Sequence, residues 1–250
     1  MKIETTHPDP EAPVDPRAVA MLPAVGGFPP SDRGLFLAGY GELCRVDLSG
    51  RRALEICGGF GKLAAGLATA YPEAEIIGLD LYAASGPEIE ERLRELPGLS
   101  YVAGDAFDLS RYEDESFDLV FGQAALHHLA HDIDGLRREV TRVLKPGGRF
   151  VFIFEPLGHN PLFAAIRAWR FALAESGDES NLYFSQFEKL AQGFSKCEVQ
   201  CFNILGYPMK ALSDRMQSLA ELVQRIDHRL MSWFPALKKY AANCNLVLTK

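Results

Sequence analysis

The sequence predicts an α/β fold on a doubly wound, mostly parallel sheet, with a helical N-terminal arm and a C-terminal cap insertion. Three observations predict it. After Gly50, short apolar runs alternate with helical stretches as far as Phe154. Those runs are continuous rather than alternating, as befits strands covered by helices on both faces. Between the first run and the first helix stands the glycine cluster Gly58-Gly59-Phe60-Gly61. In such folds ligands sit beyond the carboxyl ends of the strands, so the residues that follow each strand are where chemistry is sought.

Each element has its own warrant. Ala53 to Cys57 reads as a strand ending in glycines, and Lys62 to Tyr71 as a helix with Leu63 and Leu67 on one face. Glu75 to Leu81 is the second strand. Pro87 to Leu96 is a helix, with proline near its start and Pro97 just past its end. Leu99 to Ala103 and Phe117 to Phe121 are the third and fourth strands. Asp132 to Leu144 is helical, with Ile133, Leu136, Val140, Val143 and Leu144 at three- and four-residue spacing, and Asp132 is its expected N-cap. Pro146-Gly147-Gly148 stops that helix, and Arg149 to Phe154 is the fifth strand. Further on, Pro161 to Glu175, Tyr183 to Gln192 and Leu212 to Trp233 read as helices. Cys197 to Leu205 and Asn243 to Thr249 read as strands.

The first 30 residues hold seven of the fifteen prolines, which bars long helices and central strands there. This start reads as an extended arm or, over residues 1–16, as a disordered tail, the latter being favoured, and Met21 to Cys44 as a docked helix or lid. Residues 1–45 together are the expected flexible arm and lid.

Composition narrows the partners. The chain has 250 residues, 48% apolar and 24% charged, with a net charge of -7. That suits a folded domain, and it disfavours nucleic acid as a partner. No apolar stretch reaches membrane-spanning length, so no membrane partner is expected. The five cysteines are scattered without a metal-ligand pattern, so no metal is expected. The N-terminus lacks a secretory pattern, and a cytoplasmic location is expected.

The glycine cluster carries the strongest local signal. Glycine lets a ligand approach the backbone, and the helix N-terminus that follows suits a carboxylate or a phosphate. About 20 residues on, Asp80 ends the second strand, where a carboxylate can accept from a ribose diol. Gly59-Phe60-Gly61-Lys62-Leu63-Ala64 also fits the dinucleotide pattern G-x-G-x-x-A, so these residues alone leave nicotinamide dinucleotides and S-adenosylmethionine both open.

Further segments bear on that choice. Glu55 precedes the glycines within the strand, and Gly104-Asp105-Ala106 follows the third strand. Phe117-Asp118-Leu119-Val120 leads into Gly122-Gln123 and Leu126-His127-His128-Leu129. Leu144-Lys145-Pro146-Gly147-Gly148-Arg149-Phe150 enters the fifth strand. In this order and spacing, residues 50–156 resemble the class I S-adenosylmethionine-dependent methyltransferases of the small-molecule type. Leu246 to Lys250 resembles that family's last, antiparallel strand.

The resemblance implies a seven-stranded Rossmann-like methyltransferase domain over 46–250, with cap elements at about 157–192 and 207–242. It implies S-adenosylmethionine as cofactor. Gly58, Gly59 and Gly61 would wrap its methionine part, with Cys57 beside them, and Glu55 would support the ammonium. Asp80, with Leu81 next to it, would hold the ribose. Asp105 and the Ala106 N–H would take the adenine, and Gln123 would line the sulfonium end. One departure stands out: Cys57 occupies the place of the first glycine of the family's G-x-G-x-G. A positive φ there would be strained.

Methyl transfer from a sulfonium needs alignment above all, and a base only where the nucleophile carries a proton. The candidate bases are His127, His128, His131, Glu155 and His159. Of these, His127, Glu155 and His159 are the expected catalytic set, because they follow the fourth and fifth strands. His131 reads as a surface residue. Aromatics of the cap, such as Phe163, Tyr183, Phe184 and Trp233, suit a small apolar or aromatic substrate. The apolar stripe from Leu212 to Trp233 reads as core or as a homodimer seam. Two rival functions are a nicotinamide-dependent oxidoreductase and a non-catalytic partner protein of the methyltransferase fold.

Overall fold

A computed structural model describes residues 2–26, 29, 32–82, 86–161, 163–165, 181–205 and 215–250. The chain begins with β1 (Glu4–Thr6). Next comes α1 (Pro16–Ala20), whose N-cap Asp15 accepts the Arg17 N–H at 2.8 Å, with proline at the first helical position. Helices α2 (Leu22–Val25) and α3 (Arg33–Cys44) lead to β2 (Arg52–Ile56). After it come α4 (Lys62–Ala70), β3 (Glu75–Asp80), α5 (Pro87–Glu95), β4 (Leu99–Ala103) and β5 (Phe117–Gln123). A 3₁₀ stretch, Leu126–Asp132, enters α6 (Ile133–Val143), where Asp132 accepts the Gly135 N–H at 2.8 Å as an N-cap. The chain then runs through β6 (Leu144–Pro156), α7 (Phe184–Leu190), β7 (Lys196–Phe202) and α8 (Gln217–Trp233). A second 3₁₀ stretch, Pro235–Tyr240, precedes β8 (Asn243–Thr249).

The strands form one sheet in the order β1-β7-β8-β6-β5-β2-β3-β4. β8 is antiparallel to both β6 and β7, and every other pairing is parallel. The sheet has eight strands, not the expected seven. The eighth is β1, which pairs Glu4 to Thr6 with Glu198 to Gln200. These residues contain no proline, so their N–H groups can join a ladder, and Pro8 forbids its extension. The reading of residues 1–16 as a disordered tail is therefore corrected at 4–6. A three-residue strand draws its stability from its partner, not from a pattern of its own. Lys238 adds a hydrogen bond from Nζ to the Thr5 carbonyl at 2.9 Å.

Alternation along the central strands feeds two cores. Leu54, Ile56, Val120, Phe150 and Phe152 face the layer of α6 and α7, while Ala53, Leu119, Phe121, Val151 and Ile153 face the layer of α3 and α4. That is why the strand sequences are apolar throughout. In the N-terminal segment, Ala18, Met21, Leu43 and Cys44 are wholly buried in the second core. The expected helix Pro161 to Glu175 and the start of the expected Leu212 to Trp233 helix fall largely outside the described residues.

Candidate active site

The parallel order β6-β5-β2-β3-β4 sets the carboxyl ends of five strands in a row. In that row stand Glu155, Gln123, the 55–61 loop, Asp80 and Asp105, each just inside or just after its strand. The loop is tied to its neighbour strand. The Gly58 N–H donates to the Leu79 carbonyl at 3.0 Å, and the Gly59 N–H donates to Asp80 Oδ2 at 2.9 Å. Gly104 N–H donates to the Asp80 carbonyl at 2.8 Å, which carries the linkage on to β4.

Gly61 has φ +64, and a Cβ there would lie 2.1 Å from the Tyr101 ring, so both the backbone and the space demand glycine. Cys57 has φ +56 and carries the left-handed strain that its side chain implies. Burial pushes its thiol up to about 12. Glu55 is buried, and its carboxylate accepts the Ala64 N–H at 3.1 Å. Burial pushes its pKa up to about 8, and the charge of Asp80 adds to the rise while the Ala64 N–H opposes it.

Asp105 is exposed and accepts the Phe107 N–H at 2.9 Å, and Ala106 beside it is buried. Leu81 is exposed next to Asp80. Gln123 Oε1 is buried with no hydrogen-bond partner among the described residues. Such an orphaned acceptor is costly unless a ligand or water satisfies it.

The structure brings His127 and Glu155 together and sends His159 elsewhere. Glu155 is fully buried. Its Oε1 accepts the Ala125 and Leu126 N–H groups at 2.8 and 3.0 Å, and its Oε2 accepts the His127 N–H at 3.3 Å. Oε2 also lies 2.9 Å from His127 Nδ1. A bulge produces this aim. Pairing slips between Phe152 and Glu155, and Ile153 and Phe154 both face the α3 side, which turns Glu155 toward the end of β5.

His159 is engaged differently. Its Nε2 accepts the Phe184 N–H at 3.0 Å, its ring stacks on Phe184 at 4.8 Å, and burial lowers its pKa. His128 is exposed, its ring 4.1 Å from that of His127. His131 is exposed too, with Nδ1 3.0 Å from the His128 carbonyl oxygen and its ring edge-on to Phe107.

Sequence reasoning missed two parts of the site. Tyr101 and Arg92 both hold the glycine loop: the Tyr101 hydroxyl donates to the Gly61 carbonyl at 2.7 Å, and Arg92 donates to the Phe60 carbonyl at 2.9 Å. It also missed the left-handed residues at the carboxyl edge besides Cys57, namely Ala124 (φ +48), Phe154 (φ +61) and Asn203 (φ +65).

A cavity of about 380 Å³ lies apart from this row, between residues 6–15, α3 and β7. Leu35, Glu42, Gln200 and Phe202 are among its walls, and none of the glycine-loop residues is.

Residues 54–152 match a protein family described as a methyltransferase domain. The phthiotriol/phenolphthiotriol dimycocerosates methyltransferase 1 of Mycobacterium ulcerans is 43% identical over 107 residues, covering 43% of this chain and 38% of that protein. A fatty-acid O-methyltransferase of Mycolicibacterium smegmatis is 38% identical over 113 residues, covering 45% of this chain and 40% of that protein. The chain thus spans about two fifths of the length of these curated relatives. In fold, it is similar to a Haemonchus contortus phosphoethanolamine N-methyltransferase 2 solved with S-adenosyl-L-methionine, with a TM-score of 0.60 and 23% identity, covering 93% of this chain and 56% of that one. The glycine loop, the carboxylate after β3 and the family match agree in place: residues 54–152, from β2 to β6, match a methyltransferase domain, set in a fold that the chain shares with a solved methyltransferase.

Proposed function

We propose that this chain transfers a methyl group from S-adenosylmethionine to a small, apolar organic acceptor. The observation that carries the reading is the tie between the Gly59 N–H and Asp80, which fixes a carboxylate beside a glycine loop at the sheet's carboxyl edge. The residues present fit the cofactor. Glu55 is a buried carboxyl that an ammonium would ionise, and Gln123 Oε1 is a buried acceptor in need of a donor. Asp80 would hold the ribose hydroxyls, Asp105 and the Ala106 N–H the adenine, and Glu55 the methionine ammonium. When bound, S-adenosylmethionine supplies a methyl group on a sulfonium whose leaving group is a neutral thioether.

The chain's own residues then orient the acceptor and handle its proton. Glu155 Oε2, 2.9 Å from Nδ1, orients the ring of His127. His127 is the base for a hydroxyl acceptor, and Glu155 is the positioning residue that holds its ring. His159, whose Nε2 lone pair accepts a backbone N–H, shapes the cap instead. The methyltransferases of lipids among the relatives favour a long-chain or fatty-acid acceptor. A carboxylate acceptor carries no proton at neutral pH and needs no base.

The test is calorimetry with S-adenosylmethionine, followed by labelled methyl transfer to a panel of fatty acids, aliphatic alcohols and phenols. Binding and transfer to at least one class is the expected result. Absence of heat at millimolar cofactor overturns the reading. Binding without transfer to any class favours the non-catalytic partner, which the strained Cys57 otherwise recommends. His127→Gln should lower kcat about 10²–10⁴-fold for a hydroxyl acceptor and leave a carboxylate acceptor nearly unchanged.

A further inference from the structure

Helix α8 and the turn behind it form an exposed apolar edge that neither the cofactor site nor the sheet uses. Of the twelve large apolar side chains exposed among the described residues, five belong to this one segment: Met216, Leu222, Ile226, Trp233 and Phe234. Scattered exposed apolar residues need no explanation, but a contiguous set does. Leu222, Ile226 and Trp233 recur at helical spacing on one stripe, while Ala220, Val223, Asp227 and Met231 are buried on the other. Trp233 is 70% exposed and Phe234 57% exposed, and Ser232 to Ala236 are all exposed, so the helix ends in a bare Trp-Phe-Pro-Ala tip.

The charges around this stripe say what would cover it. The whole chain carries -7. The exposed charges on α8 and its following turn are Arg225, Arg229 and Lys239, against Glu221 alone. A second copy of the same patch would bring like charges together. An anionic lipid surface would complement them and accept the tryptophan and phenylalanine at headgroup depth. A helix that lies in the interface needs no spanning length, so the absence of a long apolar run does not bear on it.

We propose that α8, with the Trp233-Phe234 tip, docks this protein on anionic lipid surfaces. The stripe of Leu222, Ile226 and Trp233 enters the headgroup boundary, and Arg225, Arg229 and Lys239 meet the lipid phosphates. The reading does not depend on the methyltransferase activity, since it concerns binding alone.

The experiment is co-sedimentation of the full chain with vesicles of phosphatidylcholine alone or mixed with phosphatidylglycerol. The expected result is sedimentation with the mixed vesicles, weakened by salt. Trp233→Ser combined with Phe234→Ser should lower the bound fraction at least about tenfold, as should Arg225→Glu combined with Arg229→Glu. Several results would overturn the proposal: no sedimentation with mixed vesicles, equal binding to both vesicle types, or variants that bind like the parent. So would size-exclusion chromatography in which the parent is a dimer and the Trp233→Ser, Phe234→Ser variant a monomer, because the patch would then serve self-association.

Discussion

The ring of Tyr101 occupies the place of a side chain at Gly61: a Cβ built there would lie 2.1 Å from the ring, and the Tyr101 hydroxyl bonds the Gly61 carbonyl at 2.7 Å. One residue from β4 therefore moulds a loop that follows β2. Gly61→Ala faces both this clash and the left-handed backbone. Overpacking costs about 1–3 kcal/mol and the backbone about 1–2 kcal/mol more. Thermal unfolding should show a fall of several degrees, and cofactor affinity should fall with it. Unchanged melting would mean that Tyr101 moves aside at little cost.

Asp80 ties the glycine loop with the same carboxylate that, on the proposed function, holds the ribose. Charge-assisted hydrogen bonds contribute about 1.5–3 kcal/mol each. Asp80→Ala should weaken S-adenosylmethionine binding at least about tenfold, which corresponds to about 1.4 kcal/mol. Asp80→Asn keeps an acceptor for the Gly59 N–H and should lose less. Calorimetry measures both, and an unchanged dissociation constant in Asp80→Ala would refute the ribose assignment.

Glu55 makes folding respond to pH and, where it holds the ammonium as proposed, makes binding respond in the opposite direction. An ordinary glutamate titrates near 4.5, whereas burial raises this one to about 8. Between those values the folded chain holds a proton that the unfolded chain has released. Its stabilising effect is complete below about 4.5 and is lost as the pH rises through 8. The melting temperature should fall over that window, and Glu55→Gln should flatten the slope. An ammonium beside Glu55 needs the ionised form, so binding should release a proton and tighten as the pH rises toward 8. Calorimetry in buffers of different ionisation enthalpy reads the proton directly, and identical heats in all buffers would sink the idea.

Cys57→Gly removes the left-handed penalty of about 1–2 kcal/mol and returns about 0.4–1 kcal/mol of it through the freer unfolded chain. The net expectation is a gain of about 0–1.6 kcal/mol, each 1 kcal/mol being about 2–4 °C in melting temperature. Cys57→Val, β-branched at the same φ, should lose stability. In the parent, the thiol pushed up to about 12 stays protonated at pH 8 and should alkylate far more slowly than a free cysteine, as read by mass spectrometry.

Much of this site was legible because chain order maps onto position at the sheet edge. Strand ends named from sequence (Glu55, Asp80, Gln123, Glu155) fall in one row because parallel pairing puts every carboxyl end on the same side. The Asp132 cap was readable from one residue type at one place. The partnership of Glu155 with His127 was not. It depends on a bulge at Phe154 that reverses the expected facing, and no local pattern announces a bulge. Tyr101 escaped for a similar reason, since its role is to fill a space created forty residues earlier.

The short pairing of Glu4 to Thr6 with β7 has a practical consequence. Without it β7 would present a bare row of amide and carbonyl groups, a template on which neighbouring molecules can stack. Removing residues 4–6, or crowding them with a purification tag, should therefore cost solubility and shelf life before it costs the stability of the central sheet.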